Sequence, residues 1–193
     1  MLRNIQNKQI TNYLRISNGF FVFNEDEERR FNTISGSVSG INLKKHKRKN
    51  GGLFDLWHLI ITDEQSGEKY DISFSRTSNV LASIVRCLAS NGGLQALDNV
   101  QIHVSSATNN TKFTNAIVRS DGHSLSWIPG DMPPMLYRRN GNKHEQDDSL
   151  RFAWLSDLIE LINRKIASEN ATVYVNGDFI NEAEEGDVYD DEL

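Results

Sequence analysis

The sequence has little of what staples or anchors a chain. One cysteine, Cys87, stands among 193 residues, which excludes an internal disulfide and a multi-cysteine metal site. Cys87 falls in an apolar helical pattern, so it is expected in the core rather than as a reactive thiol. There are three prolines, Pro129, Pro133 and Pro134, all in one stretch. No apolar run approaches the ~20 residues that cross a bilayer as a helix. The N-terminal stretch MLRNIQNKQITNYL lacks an apolar h-region and a small-residue cleavage site, so a secretory leader is not expected. The terminal Asp-Asp-Glu-Leu and the acceptor patterns at Asn109 and Asn170 are then read as chance matches, and a cytoplasmic location is expected.

Catalytic patterns are also missing. The five histidines (His46, His58, His103, His123, His144) are scattered without metal-ligand spacing. There is no G-x-x-x-x-G-K-[ST] phosphate loop and no G-x-S-x-G elbow. The acids crowd towards one end, where no fixed pair can form. We therefore expect no enzyme, no metal and no cofactor.

Charge is present but unevenly placed. The formal net charge is −5, which on its face disfavours an anionic partner. Yet residues 178–193 hold eight of the 26 acids and none of the 21 Lys and Arg, leaving 18 acids against 21 bases, or +3, in residues 1–177. A mildly basic body carries a strongly acidic tail of the kind that is usually disordered and interacts.

Periodicity divides the body. Phe20–Phe23 is a short apolar strand, and residues 31–43 read as a strand with Gly36 and Gly40 permitting a bulge. The basic run from Lys44 to Gly52 is expected as a loop. Phe54–Thr62 and the alternating Lys69–Ser75 make a hairpin around a polar turn. Val80, Leu81, Ile84, Val85 and Leu88 have helical spacing, with Ser78 as N-cap and Gly92-Gly93 as stop. Val100–Val104, Phe113–Arg119 and Ser124–Ile128 are expected strands, the last two joined by a tight turn at Asp121-Gly122. Residues 129–148 read as an extended linker. An amphipathic helix covers 150–166, with Leu150, Trp154, Leu158, Leu161, Ile162 and Ile166 as its stripe and Asp147, Asp148 and Ser149 at its start. Thr172–Val175 reads as a last short strand.

The order strand, basic loop, strand–turn–strand, helix, strand, polar loop, strand resembles the OB fold. That fold is a five-stranded Greek-key β-barrel with a helix between strands 3 and 4, and its 1–2 and 4–5 loops and second and third strands bind oligonucleotides. Here those loops are Lys44–Gly52 and Ser105–Thr111. With its acidic tail, the chain looks like a single-stranded-DNA-binding protein of the phage replication type. The resemblance implies a mainly β chain: an N-terminal extension over 1–30, the barrel over 31–128, a linker and C-terminal helix packed on it over 129–176, and a disordered acidic tail over 177–193. It implies non-catalytic, largely sequence-independent binding of single strands in replication, recombination or repair, in a bacterial or phage-infected cell. It also implies a tail that recruits replication or repair proteins through Asp187, Tyr189, Asp190, Asp191, Glu192 and Leu193. Homo-oligomerisation stays open. The rival reading is an OB-like interaction module whose acidic tail contacts basic partners.

Lys44, Lys45, Lys47, Arg48 and Lys49 crowd like charges that phosphates would relieve, with counterion release adding affinity. Arg76, Lys112, Arg119, Arg138 and Arg139 are further phosphate candidates. Stacking platforms are sought among Trp57, Tyr70, Phe74, Phe113 and Trp127. Alternation sets Tyr70 and Phe74 beside Ile72, and Trp57 beside Leu59 and Ile61, so packing competes with stacking at all three. Phe113 shares a face with Asn115 and Arg119 and is favoured as exposed.

Overall fold

The computed structural model describes residues 10–107, 110–128, 130, 132–134, 136–140 and 143–181, with the backbone alone at 107, 110–113, 138–140, 143–146 and 170–181. Its elements follow in order: β1 (Thr11–Ser17), β2 (Phe20–Phe23), β3 (Arg30–Phe31), β4 (Thr33–Lys47), β5 (Leu53–Thr62), β6 (Lys69–Ser75), α1 (Asn79–Leu88), α2 (Asn91–Gln95), β7 (Val100–Ala107), β8 (Asn110–Ser120), β9 (His123–Ser124), β10 (Leu136–Asn140), β11 (Lys143–Asp147) and α3 (Ser149–Asn181).

Nine strands form one mixed sheet in the order β3-β2-β1-β6-β5-β4-β7-β8-β9, and β10 and β11 form a separate hairpin. All pairings are antiparallel except β1 on β6. The chain is thus mainly β with a C-terminal helix, as expected, but the sheet is not a closed barrel. In the segment read as the barrel, β6 on one side and β8 with the short β9 on the other do not pair with each other. The edge of β6 is taken by β1 instead.

β4 is the hinge of the sheet. Its start pairs with β7 through Thr33–Gly36, and its remainder pairs with β5 from Ser37 to Lys47. A register shift between Val38 and Gly40 marks the change. An extra residue there flips which parity faces inward: Ile34 and Val38 are buried before it, Ile41 after it. Gly36, at φ 148°, lies so close to the Thr62 carbonyl that a Cβ would meet its oxygen at 2.3 Å.

The inner face of the sheet supplies Leu14, Phe21, Leu59, Ile61, Ile72, Ile102 and Val118 to the core, closed by α1 and α3. The Ser78 cap forms as expected, its side chain accepting from the Leu81 N–H at 3.2 Å. Burial at Cys87 pushes its thiol up to about 11, which keeps it protonated and inert.

Several expectations need correction. The residues read as an N-terminal extension supply β1, the expected strand β2 and the first residue of β3 to the sheet. Asn18 and Gly19, at φ 50° and 79°, form the two-residue turn between β1 and β2, a twist-matched hairpin connection. The first four residues of the Lys44–Gly52 loop are strand, because Lys44 to Lys47 continue the register against Leu56 to Leu53, while Arg48 to Gly52 form the expected turn. Most of Ser105–Thr111 likewise belongs to β7 and β8. Ser124–Ile128 is strand only at its first residue, since the turn at Asp121-Gly122 forms but its return arm pairs only at His123 and Ser124.

The helix α1 ends before Gly92-Gly93, which sit inside the short α2 behind the Ser90 cap. The 129–148 linker contains the β10–β11 hairpin, its strands pairing from Leu136↔Asp147 to Asn140↔Lys143. Thr172–Val175 lies in α3. Of the expected α3 stripe, Ile162 is buried and Trp154, Leu158 and Ile166 pack against the core. The helix also buries Leu155 and Ile159 against the core, whereas Leu150 and Leu161 are 55% and 42% exposed. The Ser149 N–H donates to Asp147 Oδ1 at 3.1 Å, which starts the helix as the sequence suggested.

Candidate nucleic-acid interface

The outer face of β1, β6, β5 and β4 is where the polar side chains of these strands converge. Alternation puts Asn42, Lys44 and His46 of β4 there, with Phe54, Leu56 and His58 of β5, Asp71 and Ser73 of β6, and Tyr13 and Arg15 of β1. Tyr13 is 50% exposed, and Phe54 and His46 are half-buried.

A hydrogen-bonded chain crosses three strands on this face. Lys44 Nζ is 2.8 Å from Asp71 Oδ2, His58 Nδ1 is 2.5 Å from Asp71 Oδ1, and His46 Nε2 is 2.8 Å from His58 Nε2. The tautomers follow from the acceptor. With Asp71 ionised, His58 donates through Nδ1–H, and a neutral His58 then accepts at Nε2 from the Nε2–H of His46. Burial works against ionisation of Asp71. Hydrogen bonds from His58 and Lys44 outweigh it and hold the carboxyl below its ordinary value of 3.8. The network welds β4 to β5 and β6 and fixes the ring of His46, which lies parallel to that of His58 at 5.0 Å and beside Phe54 at 5.7 Å.

Past this network the β4–β5 hairpin projects as a basic arm. Lys45, Lys47, Arg48 and Lys49 are exposed, and the Arg48 guanidinium lies 5.3 Å over the Phe54 ring. The turn is closed by Arg48 N–H to the Gly52 carbonyl at 2.7 Å. Lys44, by contrast, spends its charge on Asp71. Arg48 thus borders the Phe54 ring beside His46 on this face, whereas alternation turns Lys45 and Lys47 to the opposite side of β4, with Leu43. A cation beside part-exposed rings is a combination able to track a phosphate backbone and stack bases.

The other sequence candidates divide. Trp57 is 5% exposed and donates from Nε1 to the Arg76 carbonyl at 3.1 Å, with Phe152 of α3 at 5.8 Å. It packs the core and cannot stack on a base. Phe74, at 4% exposed, is also core. Tyr70 turns away from the outer face, edge-on to Phe31 at 6.3 Å, with its hydroxyl on Glu68. It lines a cavity of about 610 Å³ whose Asp63, Glu64 and Asp98 would repel phosphate. The Arg76 guanidinium lies 3.9 Å over Phe152 and 3.7 Å from Asp148, which clamps α3 to β6.

Trp127 is 53% exposed under the Arg86 guanidinium at 4.6 Å, far along the chain from the basic arm. Arg119 is exposed on β8, on the same parity as exposed Asn115 and Ile117. Phe113 shares that parity, but its side chain lies outside the described residues, as do those of Lys112, Arg138 and Arg139. The tail residues Asp187, Tyr189, Asp190, Asp191, Glu192 and Leu193 lie wholly outside them.

Sequence reasoning missed Tyr13, Arg15, Phe54, His46 and His58. The signal for the β5 residues was available. Once Trp57, Leu59 and Ile61 are set inward, Phe54, Leu56 and His58 must face out. Asn18-Gly19 would have revealed β1 and, with it, Tyr13.

Comparison with protein-family models, with curated proteins and with solved structures finds no match to this chain.

Proposed function

We propose that the chain binds single-stranded nucleic acid, DNA in replication, recombination or repair, largely without sequence preference and without catalysis. The strand would lie across the outer face of β4, β5, β6 and β1 and along the basic arm. The observation that carries this reading is the basic arm itself, with Lys45, Lys47, Arg48 and Lys49 exposed and the Arg48 guanidinium 5.3 Å over Phe54, next to the face that holds His46 and Tyr13. Charge supplies affinity for any phosphate backbone, and rings stack on any base, so sequence tolerance follows.

The strand order supports the same reading. β4 pairs with both β5 and β7, β6 and β8 flank them, and α1 stands between β6 and β7. We read this order as an OB-like set of pairings that does not close into a barrel. On that reading the β4–β5 arm would stand where the OB fold uses a loop to hold an oligonucleotide.

The test is a titration of fluorescein-labelled oligothymidine followed by anisotropy across a salt series. The proposal expects binding at low salt, with log affinity falling against log salt at a slope of about −0.7 for each phosphate contacted. No binding at low salt would leave the rival, a protein-interaction module, in its place.

A further inference from the structure

β4 carries a second, separate feature. Its edge facing away from β5 is covered at the start and bare at the end. β7 covers Thr33–Gly36, and the Leu97 carbonyl then accepts from Val38 N–H at 2.9 Å. Next, Asn163 of α3 imitates a strand. Its Oδ1 accepts from the Ile41 N–H at 3.0 Å, and its Nδ2 donates to the Ile41 carbonyl at 2.8 Å.

Both polar groups of Ile41 therefore point away from β5. In an antiparallel ladder this direction recurs at every second residue. Leu43, Lys45 and Lys47 thus present their N–H and C=O groups outward too, and among the described residues these groups have no hydrogen-bond partner.

Beside this edge runs a groove of about 510 Å³ between β4 and α3, with Ile41, Leu43, Trp57, Ile159 and Ala167 in its walls. Leu43 is 40% exposed in it. Asn163 itself lines the groove, with Glu160 and Arg164 of α3 at its rim. A strand laid on the edge would send alternate side chains into it and the others outward.

We infer that the Leu43–Lys47 edge of β4 is a strand-addition site for an extended acidic segment of a partner protein, one whose apolar residues alternate with carboxylates. The backbone pairs with Leu43 and Lys45, an apolar side chain enters the groove, and the carboxylates meet Lys45, Lys47 and Arg48. Main-chain bonds supply affinity and the groove supplies selectivity. A second copy of this chain is disfavoured, because two such edges would bring lysine against lysine. The backbone pairing and the groove do not rest on strand binding at the outer face, although both readings draw on the charges of Lys45, Lys47 and Arg48.

The test uses the full chain and a short peptide alternating glutamate with leucine. Amide exchange by NMR should show Leu43 and Lys45 protected when the peptide is present. Lys45→Pro removes the outward N–H at an edge position that tolerates proline, whereas Lys45→Ala removes only the charge. Lys45→Pro should weaken the peptide about tenfold beyond Lys45→Ala, the factor expected for one lost backbone hydrogen bond.

Equal affinities of the two variants, or no protection at Leu43 and Lys45, would overturn the inference. Equal binding of an all-glutamate peptide would also overturn it, as simple charge attraction. Urea melts of the same variants report separately on folding.

Discussion

On β5, Trp57, Leu59 and Ile61 point inward and are 5% exposed or less, while Phe54, Leu56 and His58 point outward. On β6, Ile72 and Phe74 go in while Asp71 and Ser73 go out. The same strands therefore carry two surfaces with different chemistry. The inner one is apolar and sealed by α1 and α3. The outer one is a polar network of Lys44, Asp71, His58 and His46 with rings at its margin. The comparison teaches a division of labour: the inner face sets stability, and the outer face is free to meet a ligand.

Each face can be tested against the other. The largest effect is expected inside. Leu59→Ala should destabilise the fold by about 2–5 kcal/mol, by lost burial plus a cavity. A urea melt measures this, and oligothymidine affinity per folded molecule should be unchanged.

Replacing Lys45, Lys47, Arg48 and Lys49 together by Ala should reverse the pattern. The melting curve should hardly move, while oligothymidine binding at low salt falls by about 100-fold and the salt slope flattens by up to about 3. An unchanged slope would remove the arm from the site.

Single ring deletions should be smaller. Tyr13→Ala or Phe54→Ala should each cost about 1–3 kcal/mol of binding, measured by anisotropy, with little change in stability at Tyr13.

Asp71 links the two faces through pH. Its folded carboxyl is held below the ordinary value, so the stability it contributes is present above that value and is lost as pH falls through the lower, folded one. Between neutral pH and strong acid, the wild-type chain should lose more stability than Asp71→Asn in denaturant titrations.

The smallest effect concerns the acidic tail. Deleting 182–193 removes seven acids. If the tail competes for the basic arm, deletion should tighten oligothymidine binding by a few-fold, or roughly 1 kcal/mol, at low salt. The gain should vanish as salt rises. Equal affinities at every salt would show that the tail does not reach the arm.

The elements legible in the sequence were those with a strong local period. β5, β6, α1 and β7 announced themselves by alternation or helical spacing, and Ser78 by its capping chemistry. Elements decided by distant partners were not legible. Lys44–Lys47 has no strand-like pattern of its own and extends only because Leu53–Leu56 continues the ladder. The β10–β11 hairpin hid behind the three prolines that precede it. The edge of the α3 stripe was missed because Leu150 and Leu161 are as apolar as Leu155 and Ile159, and only docking against β4 and α1 chooses between them.

The candidate site was half legible. Charge density marked the arm directly. The rings were sought first among the largest aromatics, and burial claimed Trp57 and Phe74 for the core.

The most direct test of the account is an amide NMR titration of the full chain with oligothymidine. The account predicts perturbations clustered at Tyr13, Arg15, Phe54, His58 and Lys44 to Lys49, with the β7–β8 region and the buried side of α1 unmoved. Perturbations centred on the cavity around Phe31 and Tyr70, or spread evenly over the sheet, would contradict it.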